Sequence, residues 1–69
     1  MKVSARNQLQ GTVKSVTAGA VNSEVVIEIA PGVVVTAQVT SSSVARLGLR
    51  EGMPAYAIIK ADSVMVGVD

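Results

Sequence analysis

The stretch from Val21 to Thr40 most limits what this chain can become. Ser23, Val25, Ile27 and Ile29 alternate with Asn22, Glu24, Val26, Glu28 and Ala30. Strand side chains point to opposite faces in turn, so this period puts the β-branched residues on a dry face and both glutamates on a wet one. Pro31-Gly32 ends the run. Proline presets φ for the first central position of a β-turn, and glycine tolerates positive φ at the second. Val33 to Thr40 then returns as the hairpin partner, with Thr36 and Gln38 on its polar side.

The flanks extend that hairpin into a β-rich domain. Met1 to Gln8 is mixed, compatible with an extended edge segment or arm. Leu9, Gly11, Val13 and Val16 stand against Gln10, Thr12 and Lys14 as a strand, and Gly11 within it signals a bulge or a sharp bend. Thr17-Ala18-Gly19-Ala20 reads as a turn. After the hairpin, Ser41-Ser42-Ser43 offers N-caps, Val44 and Leu47 are three apart, and Gly48 can close a C-cap, so one or two helical turns belong here. Leu49 to Pro54 is a loop and Ala55 to Lys60 a strand. Ala61-Asp62-Ser63 breaks it, and Val64-Met65-Val66 with Val68 forms a short last strand. The expected fold is all-β: a small five-stranded OB-like Greek-key barrel with one short helix between strands 3 and 4, residues 1–69 making a single domain. Closure also removes the exposed edges that valine-rich strands would otherwise present.

Size then demands help from outside the chain. A domain of 69 residues lies near the lower limit for independent folding. Its hydrophobic residues make up 49% of the chain, but Tyr56 is its one aromatic, so the core is built from small aliphatic groups. Ordering costs about 1.5 kcal/mol per residue in the crude balance for small scaffolds, which nearly cancels the burial gain. With no cysteine there is no disulfide, and with no histidine the commonest transition-metal ligand is missing. Self-association is the remaining source of stability, and an obligate oligomer is expected. The net charge of +1 gives no reason to expect nucleic acid or a membrane as partner. The N-terminus lacks the apolar run of a secretory signal, which points to the cytoplasm.

Catalytic templates find no footing. Nucleophilic schemes need a Cys, a His, or a Ser beside a base, and none is present. Glu24 and Glu28 read as a solvated face. Neither calcium-loop spacing nor a phosphate-binding glycine pattern occurs. The chain is not expected to be an enzyme, to carry a cofactor, or to bind a metal cation directly. OB-type nucleic-acid binders use aromatic platforms and a basic groove; here there are Tyr56 and only 6 Lys and Arg residues.

Two polar clusters remain: Ser4-Ala5-Arg6-Asn7-Gln8 near one end and Lys60-Ala61-Asp62-Ser63 near the other. They are expected to meet in the folded assembly around a small anion. A deprotonated tetrahedral dianion is an acceptor only, so its pocket should offer donors: Arg6, Lys60, backbone N–H groups and the hydroxyls of Ser4, Thr40, Ser43 and Ser63. Arg6 and Lys60 together offset two charges, and the serine run opening a helix leaves backbone N–H groups free. On spacing alone, Arg6 and Lys60 read more readily as surface cations and the serines as caps.

Ser4-Ala5-Arg6-Asn7-Gln8-Leu9-Gln10-Gly11 strongly resembles the opening of the molbindins, small bacterial molybdate-binding proteins. Their domain recurs in molybdate-responsive regulators and molybdate-transporter ATPases. Val44 to Gly52 resembles the family's helix and following loop, and Ile59-Lys60-Ala61-Asp62-Ser63-Val64-Met65 its closing motif. The resemblance spans essentially the whole chain. It implies an OB-like barrel assembled as a homohexamer, a trimer of dimers, with oxyanions at the interfaces. It implies further that Ser4, Ala5 and Arg6 act from one subunit, and Thr40, Ser43, Lys60, Ala61 and Ser63 from its partner. Ala5 and Ala61 would serve through backbone N–H groups. A second interface site would draw on the Gly19-Ala20-Val21 turn. Strand-like alternation would point Asp62 away from the side that Ala61 and Ser63 share.

The expected function is therefore intracellular binding and storage or homeostasis of molybdate, and of tungstate, as ligand. Two alternatives stand beside it: a ligand-free structural or regulatory oligomerisation module, and an OB-type nucleic-acid binder. The 69 residues hold no fused DNA-binding or ATPase segment, which speaks against regulator and transporter roles.

Overall fold

The computed structural model describes all 69 residues. Four strands form one curled antiparallel sheet: β1 (Asn7–Thr17), β2 (Asn22–Ala30), β3 (Val33–Thr40) and β4 (Pro54–Ile59), in the order β3-β2-β1-β4. One helix, α1 (Ser41–Leu47), joins β3 to β4, and a 3-10 turn follows at Ala61–Ser63. No helix is long and apolar enough to cross a membrane.

The β2–β3 hairpin pairs from Asn22↔Thr40 to Glu28↔Val34, slips by one residue before Ala30↔Val33, and Gly32 takes φ 76° in the connection. Its inner face carries Ser23, Val25 and Ile27, all buried, with Ile29, Val35 and Val39 packed beside them. Glu24 and Glu28 lie on the other face, as the alternation requires.

β1 is the long element that holds the sheet together. Residues Asn7 to Thr12 pair with β4, and Thr12 to Thr17 pair with β2. The register slips between Val13 and Ser15. An uninterrupted strand would send Val13 and Val16 to opposite faces; the extra residue at the bulge turns both inward. Gly11 is therefore not the bulge. It sits where β1 crosses closely over β2: a Cβ there would stand 2.9 Å from Ile27 Cγ2 and against the Glu28 carbonyl oxygen.

β1 also binds the loop after α1. Val13 N–H donates to the Met53 carbonyl and Gly52 N–H to the Val13 carbonyl, both at 2.9 Å. That seats Leu49 and Met53 against the core of Val13, Val25, Ile27 and Ala57. The helix stops at Gly48, where Leu49 N–H reaches back to the Val44 carbonyl at 3.0 Å.

The last strand expected from sequence is absent from the sheet. Val64 is extended, but the residues after Ser63 pair with nothing, and Met65, Val66 and Val68 are each more than 90% exposed. The in-chain sheet has four strands rather than five, with no pairing between β3 and β4. Only 5 of 69 residues are buried, while Leu9, Val21, Val33, Val34, Tyr56 and Ile58 stay exposed.

Candidate functional site

Asn7 pairs with Ile59, and its side-chain amide donates to the Ile59 carbonyl at 3.2 Å. This pairing brings the two polar clusters together within one chain. Ser4-Ala5-Arg6 leads into β1 where Lys60-Ala61-Asp62-Ser63 leaves β4. Arg6 is exposed and forms no ion pair. Lys60 is also exposed, and its Nζ lies 3.8 Å from Asp62 Oδ2.

That contact corrects the expectation for Asp62. Residues Ala61–Ser63 form a 3-10 turn, closed by Ser63 N–H donating to the Lys60 carbonyl at 2.9 Å, so strand alternation does not apply. The carboxylate shares the neighbourhood of the lysine that would attract an anion. A solvated pair of this kind is worth little and yields readily to a better acceptor.

Thr40 and Ser43 lie elsewhere in the register, so within one chain they do not stand beside Lys60, Ala61 and Ser63 as the expected division between subunits had them. Thr40 pairs with Asn22, beyond the Thr17↔Glu24 end of the β1–β2 ladder, whereas the Arg6 and Lys60 cluster lies at the Asn7 end. β1 runs 11 residues between the two ends, with a bulge on the way. No hydrogen bond or ion pair joins the two groups, and one chain alone closes no pocket around either. No group of three or more His, Cys, Asp or Glu side chains converges on a common point.

The start of α1 is more occupied than the serine run suggests. Thr40 is the N-cap: its hydroxyl oxygen accepts from Ser43 N–H at 3.1 Å. Ser41 N–H is taken by the Val21 carbonyl at 2.7 Å. The Thr40 hydroxyl donates to Ser43 Oγ at 2.8 Å, so Ser42, at 3.2 Å, must be the donor to Thr40. Ser43 then keeps its own hydroxyl hydrogen for an outside acceptor. Thr40→Ala should lower stability by about 1 kcal/mol through loss of the cap, whereas Thr40→Ser should stay within a few tenths of that figure of the parent; urea unfolding of the two variants reads the difference.

The Gly19-Ala20-Val21 turn leans on the same helix start, through the Val21 carbonyl and through Ser41 Oγ donating to the Gly19 carbonyl at 2.7 Å. Neither Ala20 N–H nor Val21 N–H is committed to an acceptor in the chain. Sequence reasoning passed over Ser41 as a cap candidate only and over Ser23 altogether. The available clue was a serine in the dry-face phase of a valine-rich strand.

Known proteins resemble this chain along essentially its whole length. The TOBE domain model matches residues 3–66. A probable molybdenum-pterin-binding protein of Haemophilus influenzae is 54% identical over 69 residues, covering all of both chains. MopII from Clostridium pasteurianum, solved without ligand, superposes with a TM-score of 0.90 at 42% identity, covering 97% of this chain and 100% of that one. ModG, described as a cytoplasmic molybdate-binding protein and solved with molybdate bound, gives 0.93 at 48% identity over 100% of this chain and 49% of its own.

Proposed function

This chain belongs to the TOBE-domain family, as one of the molbindins, and from that premise we propose that it captures molybdate by hydrogen bonding and charge, without making or breaking a bond. The observation that carries the reading is the placement of donors. Two donor-rich groups sit at opposite ends of β1, each open, and neither is enclosed by one chain. A second copy that lays its Arg6 end against the Thr40 and Ser43 end of the first would complete a pocket. In that pocket Ser4, Arg6, Ser43, Lys60 and Ser63 donate from side chains, and Ala5 and Ala61 from the backbone. The association is a homohexamer built as a trimer of dimers. It is supported by the small in-chain core and by the exposed apolar tail of Met65, Val66 and Val68, which water would otherwise cover at a cost. The anion's role is storage or homeostasis in the cytoplasm, the compartment named for ModG.

A pocket that aims only N–H and O–H hydrogens at the anion discriminates by proton count. Phosphate near neutral pH carries a hydrogen that needs an acceptor, and it goes unsatisfied so long as the serine hydroxyls point their hydrogens inward and the Asp62 carboxylate stays on Lys60. Molybdate and tungstate need no acceptor. Equilibrium dialysis against molybdate, with phosphate or tungstate in excess as competitor, tests the proposal. Tungstate should displace the bound molybdate and phosphate should not; equal displacement by phosphate would show that the pocket holds an acceptor and defeat the donor-only assignment.

A further inference from the structure

Ser23 faces inward from β2 at 3% exposure, in line with Val25 and Ile27. A hydroxyl in that position is costly if unpaired, and an alanine or valine would fill the space without that demand. The serine is paired through a closed circuit. Gly19 N–H donates to Ser23 Oγ at 3.3 Å, Ser23 and Ser41 hydroxyls lie 2.8 Å apart, and Ser41 Oγ donates to the Gly19 carbonyl at 2.7 Å. Each hydroxyl has one hydrogen, and Ser41 has given its own to Gly19, so Ser23 is the donor to Ser41. The circuit leaves Gly19 and returns to it, each bond polarising the next in the same sense. Ser41 N–H adds a fourth tie to the Val21 carbonyl at 2.7 Å.

We propose that Ser23 and Ser41 are positioning residues for oxyanion capture: their hydroxyl circuit locks both peptide groups of Gly19 against the start of α1 and so presents the Ala20 and Val21 N–H groups as a preformed pair of donors. This rests on the reading of the Gly19-Ala20-Val21 turn as a second anion site. The inner serine serves the turn rather than the core. A turn held only by its ends would have to be ordered by the anion at the moment of binding, and affinity would fall by that ordering cost. Neither serine touches the anion.

The test follows backbone amide signals of the intact assembled protein during titration with sodium molybdate, for the parent and for Ser23→Ala, Ser41→Ala and Ser41→Thr. In the parent, molybdate should shift the Ala20 and Val21 amides. Both alanine variants should keep the assembly's mass and the molybdate response of the Arg6 amide. They should lose the Ala20 and Val21 response at the same molybdate concentration, and Gly19 amide exchange should quicken tenfold or more. Ser41→Thr keeps the hydroxyl and should restore the parent behaviour, which a loss of packing alone would not explain. Unchanged Ala20 and Val21 responses in the alanine variants would overturn the positioning role. A parent that responds at Arg6 but never at Ala20 or Val21 would also overturn it, while leaving molybdate capture standing. A parent with no response anywhere would overturn both.

Discussion

Replacing Arg6 by alanine is expected to weaken molybdate binding by between ten- and one-hundred-fold while leaving the assembled mass unchanged. The side chain is exposed and forms no ion pair in its own chain, so its removal costs the fold almost nothing. Hydrogen bonds to a charged partner are worth about 1.5–3 kcal/mol each, and a guanidinium can supply two in parallel. Arg6→Lys keeps the charge but loses the fork, and should fall between the two. Lys60→Ala is expected to act in the same direction, because it removes the second cation and leaves the Asp62 carboxylate, now 3.8 Å from Lys60 Nζ, without its counter-charge. Calorimetric titration with molybdate, run beside light scattering for mass, checks these variants. An Arg6→Ala protein that binds like the parent would remove Arg6 from the site.

Gly11→Val should do the reverse: it should weaken the fold itself rather than the binding site. The first atom of any side chain at this position would meet the Glu28 carbonyl, and it would stand 2.9 Å from Ile27 Cγ2. Backbone cannot step aside as a flexible side chain can, and Ile27 is one of the four buried hydrophobic residues that make up the core. Overpacking typically costs about 1–3 kcal/mol, and a single core in a domain this small supplies about 3–5. The variant should therefore lose a large share of its stability, read by far-UV circular dichroism and by a urea midpoint well below the parent's. A folded Gly11→Val protein with a midpoint near the parent's would mean that β1 and β2 can separate at this crossing, contrary to the register described above.

Much of this architecture was legible in the chain itself. The hairpin was, because Val25, Ile27 and Ile29 keep strict phase and Pro31-Gly32 can do little but turn. The helix was, from its serines and Gly48, although its N-cap is Thr40 and not a serine. The bulge was visible too, as the change of phase from Val13 to Val16, although attention falls more naturally on Gly11. Its glycine answers a different need, the close crossing over Ile27 and Glu28.

What the sequence hid was hidden for physical reasons. Val64, Val66 and Val68 alternate like a strand, but alternation says only that a segment can pair, not that its own chain offers the edge. Asp62 was misplaced because three polar and small residues after a strand fit a 3-10 turn as well as an extended path, and only the Ser63-to-Lys60 hydrogen bond decides between them. The distribution of donors was partly legible. The Arg6 and Lys60 ends do adjoin, through Asn7 and Ile59. That Thr40 and Ser43 lie at the other end of β1 depends on strand order, which no local pattern encodes. Ser23 was readable as a polar residue in an apolar phase, but its partners Gly19 and Ser41 are four and 18 residues away, and their meeting is tertiary.

On the proposed reading, the anion is held between copies of this chain rather than by one. Native mass spectrometry across a molybdate titration tests it most directly, since it reads assembly size and bound anions in the same particle. Capture between copies should give a hexamer that takes up molybdate, with no anion on any monomer present. A monomer that carries molybdate on its own, or a hexamer that carries none, would contradict it.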